Sequence, residues 1–118
     1  MAAEDKRKFV RLNALVDVIY NRVSPSEKEK LSLTKNIGKG GICLIAYEEL
    51  KVSDILDLKM FFPEEEALIH AIGKVVWIKE FFIGGMSQGK RYDVGIEFVK
   101  IKEEDADKLN KYVFTHFK

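Results

Sequence analysis

The apolar residues of this chain recur with a period of two, in short runs punctuated by turn residues, and the longest uninterrupted run is only Ile42 to Tyr47. That spacing puts alternate side chains on opposite faces of a strand, whereas a helix needs a period near 3.6. Leu12 to Val23 is half-alternating and β-branched around Val16, Val18 and Tyr20, and Ser24-Pro25-Ser26 turns it. Lys28 to Lys35 alternates charge with Leu31 and Leu33, the pattern of an antiparallel return strand with one wet face. Ile42 to Tyr47 and Ile55 to Phe62 read as two more strands, the second closed by Pro63-Glu64-Glu65-Glu66. Leu68 to Phe82 is long for a strand, and Gly73 inside it predicts a bulge or bend. Gly84 to Gly89 is a loop. Tyr92 to Val99 completes the set, with Val94, Ile96 and Phe98 on one face and Asp93 and Glu97 on the other.

After Ile101 the period changes. Ala106, Leu109, Val113 and Phe117 fall on one helical stripe, with Glu103, Glu104 and Asp105 where the positive end of the helix dipole favours them. Six strands followed by one helix predict a mostly β fold, a six-stranded antiparallel barrel whose closure removes exposed edges and whose mouth the helix covers. The 118 residues make one domain. Its expected parts are an N-terminal arm (1–12), the barrel (13–101) and the C-terminal helix (102–118).

Several function classes are excluded at this level. A net charge of +1 does not supply a field for a nucleic-acid polymer. No apolar run is long enough for membrane insertion. Charged Glu4 to Lys8 occupy the region where a secretory leader would become apolar, so a cytoplasmic location is expected. The single Cys43 agrees with a reducing compartment and reads as a small core residue. His70 and His116 have no ligand spacing around them, so no metal site is expected. No acid–base pair or nucleophile elbow stands out; Glu64, Glu65 and Glu66 read as a solvated turn, and the chain is not expected to be an enzyme.

Two local features remain. Lys6, Arg7, Lys8 and Arg11 crowd one segment, either a solvated arm or an anion-binding element. Asn36-Ile37-Gly38-Lys39-Gly40-Gly41 sets three glycines ahead of a strand. A Walker loop does not fit, because Gly38-Lys39 is followed by Gly40 rather than Ser or Thr. A kinase-type glycine loop would need glycine where Cys43 stands. A tight turn and a bare backbone platform for a ligand both stay open.

These residues resemble the PilZ domain family, bacterial receptor modules for cyclic di-GMP. Arg7-Lys8-Phe9-Val10-Arg11 matches that family's Arg-x-x-x-Arg signature in an arm before the first strand. Asn36 to Gly41 matches its second signature, Asp or Asn, any residue, Ser, two residues, Gly, except that Gly38 replaces the serine. Gly73 to Trp77 and Tyr92 to Phe98 are similar to its late strands.

The resemblance implies a flexible N-terminal arm, cyclic di-GMP as ligand with no further cofactor, and a site of Arg7, Arg11, Asn36, Gly38, Gly40 and Gly41, with Lys6 and Lys8 secondary. It also implies a role in second-messenger control of motility or biofilm, through an unidentified partner protein, as monomer or homodimer. The chemistry is coherent. Arginine's planar fork holds a phosphate or the O6/N7 edge of guanine bidentately. In an extended arm, positions four apart project to one side, roughly 13 Å from each other. Asn36 offers an acceptor and donors to a second guanine edge, and the glycines admit the base to the backbone. The rival is a degenerate PilZ-like adapter that binds only protein. An RNA-binding barrel would need exposed aromatics, and Phe61, Phe62, Trp77, Phe81 and Phe82 read mostly as core or helix-packing residues.

Overall fold

Strands β1 (Arg11–Asn13), β2 (Asp17–Arg22), β3 (Lys30–Gly38), β4 (Gly41–Ala46), β5 (Ile55–Phe62), β6 (Ala67–Phe82) and β7 (Lys90–Ile101) precede one helix, α1 (Glu103–His116). The computed structural model describes residues 11–23, 28–62, 66–83 and 89–116. The turn at 24–26, most of the turn at 63–66, the loop at 84–88 and Phe117 lie outside the described residues. Every pairing is antiparallel, in the order β3-β2-β5-β6-β7-β4, and β4 pairs back to β3. Six strands thus close a barrel, and β1 lies outside it on the edge of β3.

Inward-facing residues alternate as the period of two requires. Val18 and Tyr20, Leu56 to Phe62 at every second position, Ile69, Ala71 and Val75, Val94 and Ile96, and Ile42 and Leu44 share one core. Leu109 and Val113 bring the helix onto it, and Tyr112 stands edge-on to Phe62 with ring centroids 4.4 Å apart. The acidic first turn sits as the helix dipole favours, and Asp105 Oδ2 also accepts from the His70 backbone N–H at 3.3 Å. The expected bulge is present, since the β6–β7 register shifts at Ile72/Gly73 and again at Val75/Trp77. A side chain at Gly73 would overlap Ile96, so the glycine leaves room for its cross-barrel neighbour.

The structure departs from the sequence reading in three places. The expected strand from Leu12 to Val23 is two strands, broken at residues 14–16. Thr34 causes the break: its fully buried hydroxyl donates to Ala14 C=O at 2.7 Å and accepts from Val16 N–H at 3.0 Å. A side chain there does what a ladder would otherwise do, and β3 compensates with a register shift between Thr34 and Asn36. As a result Arg11 and Leu12, assigned by sequence to the arm, are already in β1.

Leu31 and Leu33 face outward, 73 % and 38 % exposed, because that end of the barrel buries Tyr20, whose hydroxyl donates to Glu48 at 2.9 Å. Asp93 lies on the face opposite Val94 and Ile96, as expected, and is buried there because Lys35 Nζ at 2.8 Å and an Arg91 guanidinium nitrogen at 3.0 Å close over it. Of the five aromatics read mostly as core or helix-packing residues, only Phe62 is buried; Phe61, Trp77 and Phe82 are exposed, and Phe81 is partly so. β6 is long enough to run past the helix-covered part of the barrel, which leaves its later residues in solvent. Cys43 is buried as expected, on the side of β4 away from Ile42 and Leu44.

Thr34→Val keeps the shape and removes the hydroxyl, leaving Ala14 C=O and Val16 N–H unpaired. The expected loss is about 1–3 kcal/mol in urea unfolding, with faster amide exchange in β1.

Candidate functional site

The glycine stretch forms a tight hairpin: Asn36 to Gly38 end β3, Lys39 and Gly40 bend, and Gly41 starts β4. The turn reading is therefore met. Asn36, Gly40 and Gly41 of this hairpin also line a cleft of about 560 Å³ on the outer face of the barrel, within the size range of small-molecule sites.

Register explains why a cleft exists there. One row of residues crosses the outer face as Asn13, Asn36, Cys43, Gly95 and Trp77. The next runs Arg11 to Gly38 and then Gly41, Glu97 and Lys74. The middle of both rows is glycine or cysteine, and the ends carry Arg11 and Asn36 on one side and Trp77 and Glu97 on the other. A trough with a low floor and two walls follows from side-chain size.

Two glycines of the floor, Gly41 and Gly95, are also demanded by packing. A Cβ at Gly41 would overlap the carbonyl oxygen of Ile96, so β4 and β7 approach as closely as they do only with glycine there. The Gly40 carbonyl accepts from Phe98 N–H at 2.9 Å. A Cβ at Gly95 would overlap three ring atoms of Trp77, so the indole lies on the bare backbone of β7. Gly38 is buried and faces Arg11 across the β1–β3 pair, outside the lining of the cleft.

At the cationic wall, Arg11 Nε donates to Asn36 Oδ1 at 3.2 Å and its terminal guanidinium nitrogen donates to the same oxygen. Asn36 is the diagonal neighbour of Arg11, within reach of a long side chain. Burial pushes the Cys43 thiol above its ordinary range, and the Asp93 charge adds to that, while Lys35 and Arg11 pull it the other way. A buried protonated thiol is not a nucleophile.

Arg11, Asn36, Gly40 and Gly41 are thus brought together, as the sequence reading grouped them. Lys6, Arg7 and Lys8 lie outside the described residues. Trp77, Gly95 and Glu97 were not expected at the site. Their signal was faint: Gly73 to Trp77 and Tyr92 to Phe98 were recognisable as late strands, but only register places them beside Asn36.

A model of the PilZ domain family matches residues 5–115. A sequence comparison with curated proteins finds no match. Among solved structures, the Bacillus subtilis inhibitor of motility MotI/DgrA is similar at 26 % identity and a TM-score of 0.74, over 94 % of this chain and 51 % of that one. The PilZ domain of YcgR from Escherichia coli with c-di-GMP matches at 12 % identity and a TM-score of 0.73, over 94 % and 91 % of the two chains. The K. pneumonia MrkH–c-di-GMP complex matches at 18 % identity and a TM-score of 0.74, over 94 % and 51 %. The chain spans about half the length of MotI and of MrkH.

Gly95→Ala should displace the indole of Trp77. As Trp77 is the single tryptophan, the expected result is a shifted emission maximum, together with a stability loss of about 1–3 kcal/mol. An unchanged emission spectrum would mean the ring does not rest on that backbone.

Proposed function

The chain belongs to the PilZ domain family, and from that premise we propose that it is a cyclic di-GMP receptor that acts as an adaptor, changing the surface it offers to a partner protein when the ligand binds. The observation that carries this reading is the convergence of Arg11, Asn36 and the Gly40–Gly41 backbone on one cleft of ligand size. Arg11 supplies a fixed positive charge and a planar fork for a phosphate or a guanine edge. Asn36, whose Oδ1 accepts from that fork, exchanges partners to meet a guanine itself. Arg7, four positions ahead, is the second cation, with Lys6 and Lys8 adding to the field.

Arg11 already lies in β1, so the ordering step falls on the residues ahead of it. Engagement of Arg7 by the ligand folds that segment over the barrel, and the covered surface is the output. MotI is an inhibitor of motility and MrkH a c-di-GMP-dependent transcription regulatory factor. Control of motility or biofilm is the corresponding role here, carried out in the cytoplasm. No helix among the described residues is long and apolar enough to cross a membrane.

The second reading, an adapter that has lost the ligand, is favoured by one residue, Gly38 in the place of the family serine. Thermal unfolding separates the two. Ligand at a hundredfold excess over Kd stabilises a folded receptor by about 2.7 kcal/mol, a rise in Tm on the order of 10 °C. No rise at millimolar cyclic di-GMP would leave the adapter.

Arg11→Ala should weaken binding roughly 10- to 150-fold and lessen its salt dependence, measured by calorimetry at two ionic strengths. Gly38→Ser restores a hydroxyl on the face that carries Asn36 and should tighten binding about two- to thirteenfold. Weaker binding by that variant would count against the placement of the second signature.

A further inference from the structure

The wall opposite Arg11 holds a feature that an anion site does not call for. Asp93, Gly95 and Glu97 alternate along β7, so both carboxylates flank the glycine on the outer face. Asp93 is closed off by Lys35 and Arg91. Glu97 is exposed, lines the cleft, and makes no hydrogen bond or ion pair among the described residues. Lys74 is its cross-strand neighbour, yet the two form no ion pair. An unpartnered carboxylate beside a bound dianion is repulsive unless it faces hydrogen-bond donors.

Next to it, across one step of the β6–β7 ladder, stands the half-exposed indole of Trp77, seated on Gly95. Glu97 is two residues from Gly95, roughly 6.6 Å along the strand, comparable to the span of a stacked purine. Aromatic faces stack bases of any kind, whereas a carboxylate accepts only from an edge that donates. Guanine alone among the purines of nucleic acids presents an N1–H and an N2 amine side by side on its Watson–Crick edge, and adenine presents an acceptor at N1.

We propose that this wall is a guanine subsite, in which Trp77 stacks one base of the ligand and Glu97 accepts hydrogen bonds from its N1–H and N2 amine, making Glu97 the residue that selects guanine. The inference rests on the receptor reading and adds a specificity determinant to it. It also assigns the two ends of the cleft to different parts of the ligand. Arg11 and Asn36 take phosphate and the second base, and the β6–β7 wall takes the first.

The test compares cyclic di-GMP with cyclic di-IMP, which keeps the phosphates, riboses and N1–H but lacks the N2 amine, on the wild-type chain and on Glu97→Ala and Trp77→Phe. Calorimetry should give wild type a preference of about tenfold or more for cyclic di-GMP, and Glu97→Ala a preference reduced to near unity. Trp77→Phe should bind more weakly with the preference kept, and the wild-type tryptophan emission should change on saturation. Glu97→Ala that retains the full wild-type preference would overturn the subsite while leaving the receptor intact. Equal weakening of both ligands by Glu97→Ala would put the carboxylate on a ribose hydroxyl and overturn it as well. Wild type that binds neither ligand would remove the receptor reading and the subsite with it.

Discussion

One buried hydroxyl decides the geometry of the cleft. A strand that kept the Asp17↔Leu33 register would set Arg11 opposite Lys39 on β3, one position beyond where it stands. Thr34 interrupts it by taking the hydrogen bonds of Ala14 and Val16 onto a single side chain. A buried polar atom is tolerated only when satisfied, and this one is satisfied twice. The break lets β1 resume on the edge of β3 that β2 uses, one residue out of register, with Arg11 opposite Gly38. No side chain on Gly38 competes for that space, and the guanidinium reaches Asn36 instead.

The glycines combine two demands usually met separately. Gly41 and Gly95 are fixed by packing, one against a neighbouring carbonyl and the other beneath an indole. The same lack of side chains leaves a trough in what would otherwise be a uniformly studded sheet face. Structural necessity and ligand access are therefore not alternatives for the stretch Asn36 to Gly41. A hairpin this tight produces a floor this low.

Much of this was legible beforehand. Strand β5 was placed to the residue, because Ile55 to Phe62 alternates cleanly between two sharp breaks. The bulge near Gly73 and the helix on Leu109 and Val113 followed from single glycines and a change of period. What escaped was long-range. Thr34 looks like any β-branched strand residue, and only its partners twenty and eighteen positions away distinguish it. Alternation gave the face of Asp93 but not what covers it, and Lys35 arrives from 58 residues distant. Leu31 and Leu33 reversed the expected face because a polar cluster around Tyr20 and Glu48 occupies that end of the barrel. The first wall of the site was readable from Arg11 and Asn36. The second was not, since Trp77 and Glu97 meet Asn36 only through two ladders.

Under the proposed function a chain of net charge +1 takes a doubly negative ligand, and its charge arrangement fits that reading. Far-field attraction is small for such a chain, so recognition falls to groups held at contact distance, where screening is weak. Arg11 is pre-oriented by Asn36, which limits the conformational freedom lost on binding. Asp93, the carboxylate that would oppose it, carries two cations of its own. That neutralisation is asymmetric along β7: Asp93 is silenced and Glu97, on the far side of Gly95, is left unpaired. A face built only to attract anions would have treated both alike. The difference divides the cleft into a cationic wall and an accepting one, an arrangement that fits a molecule with phosphates at its centre and hydrogen-bond donors on its bases.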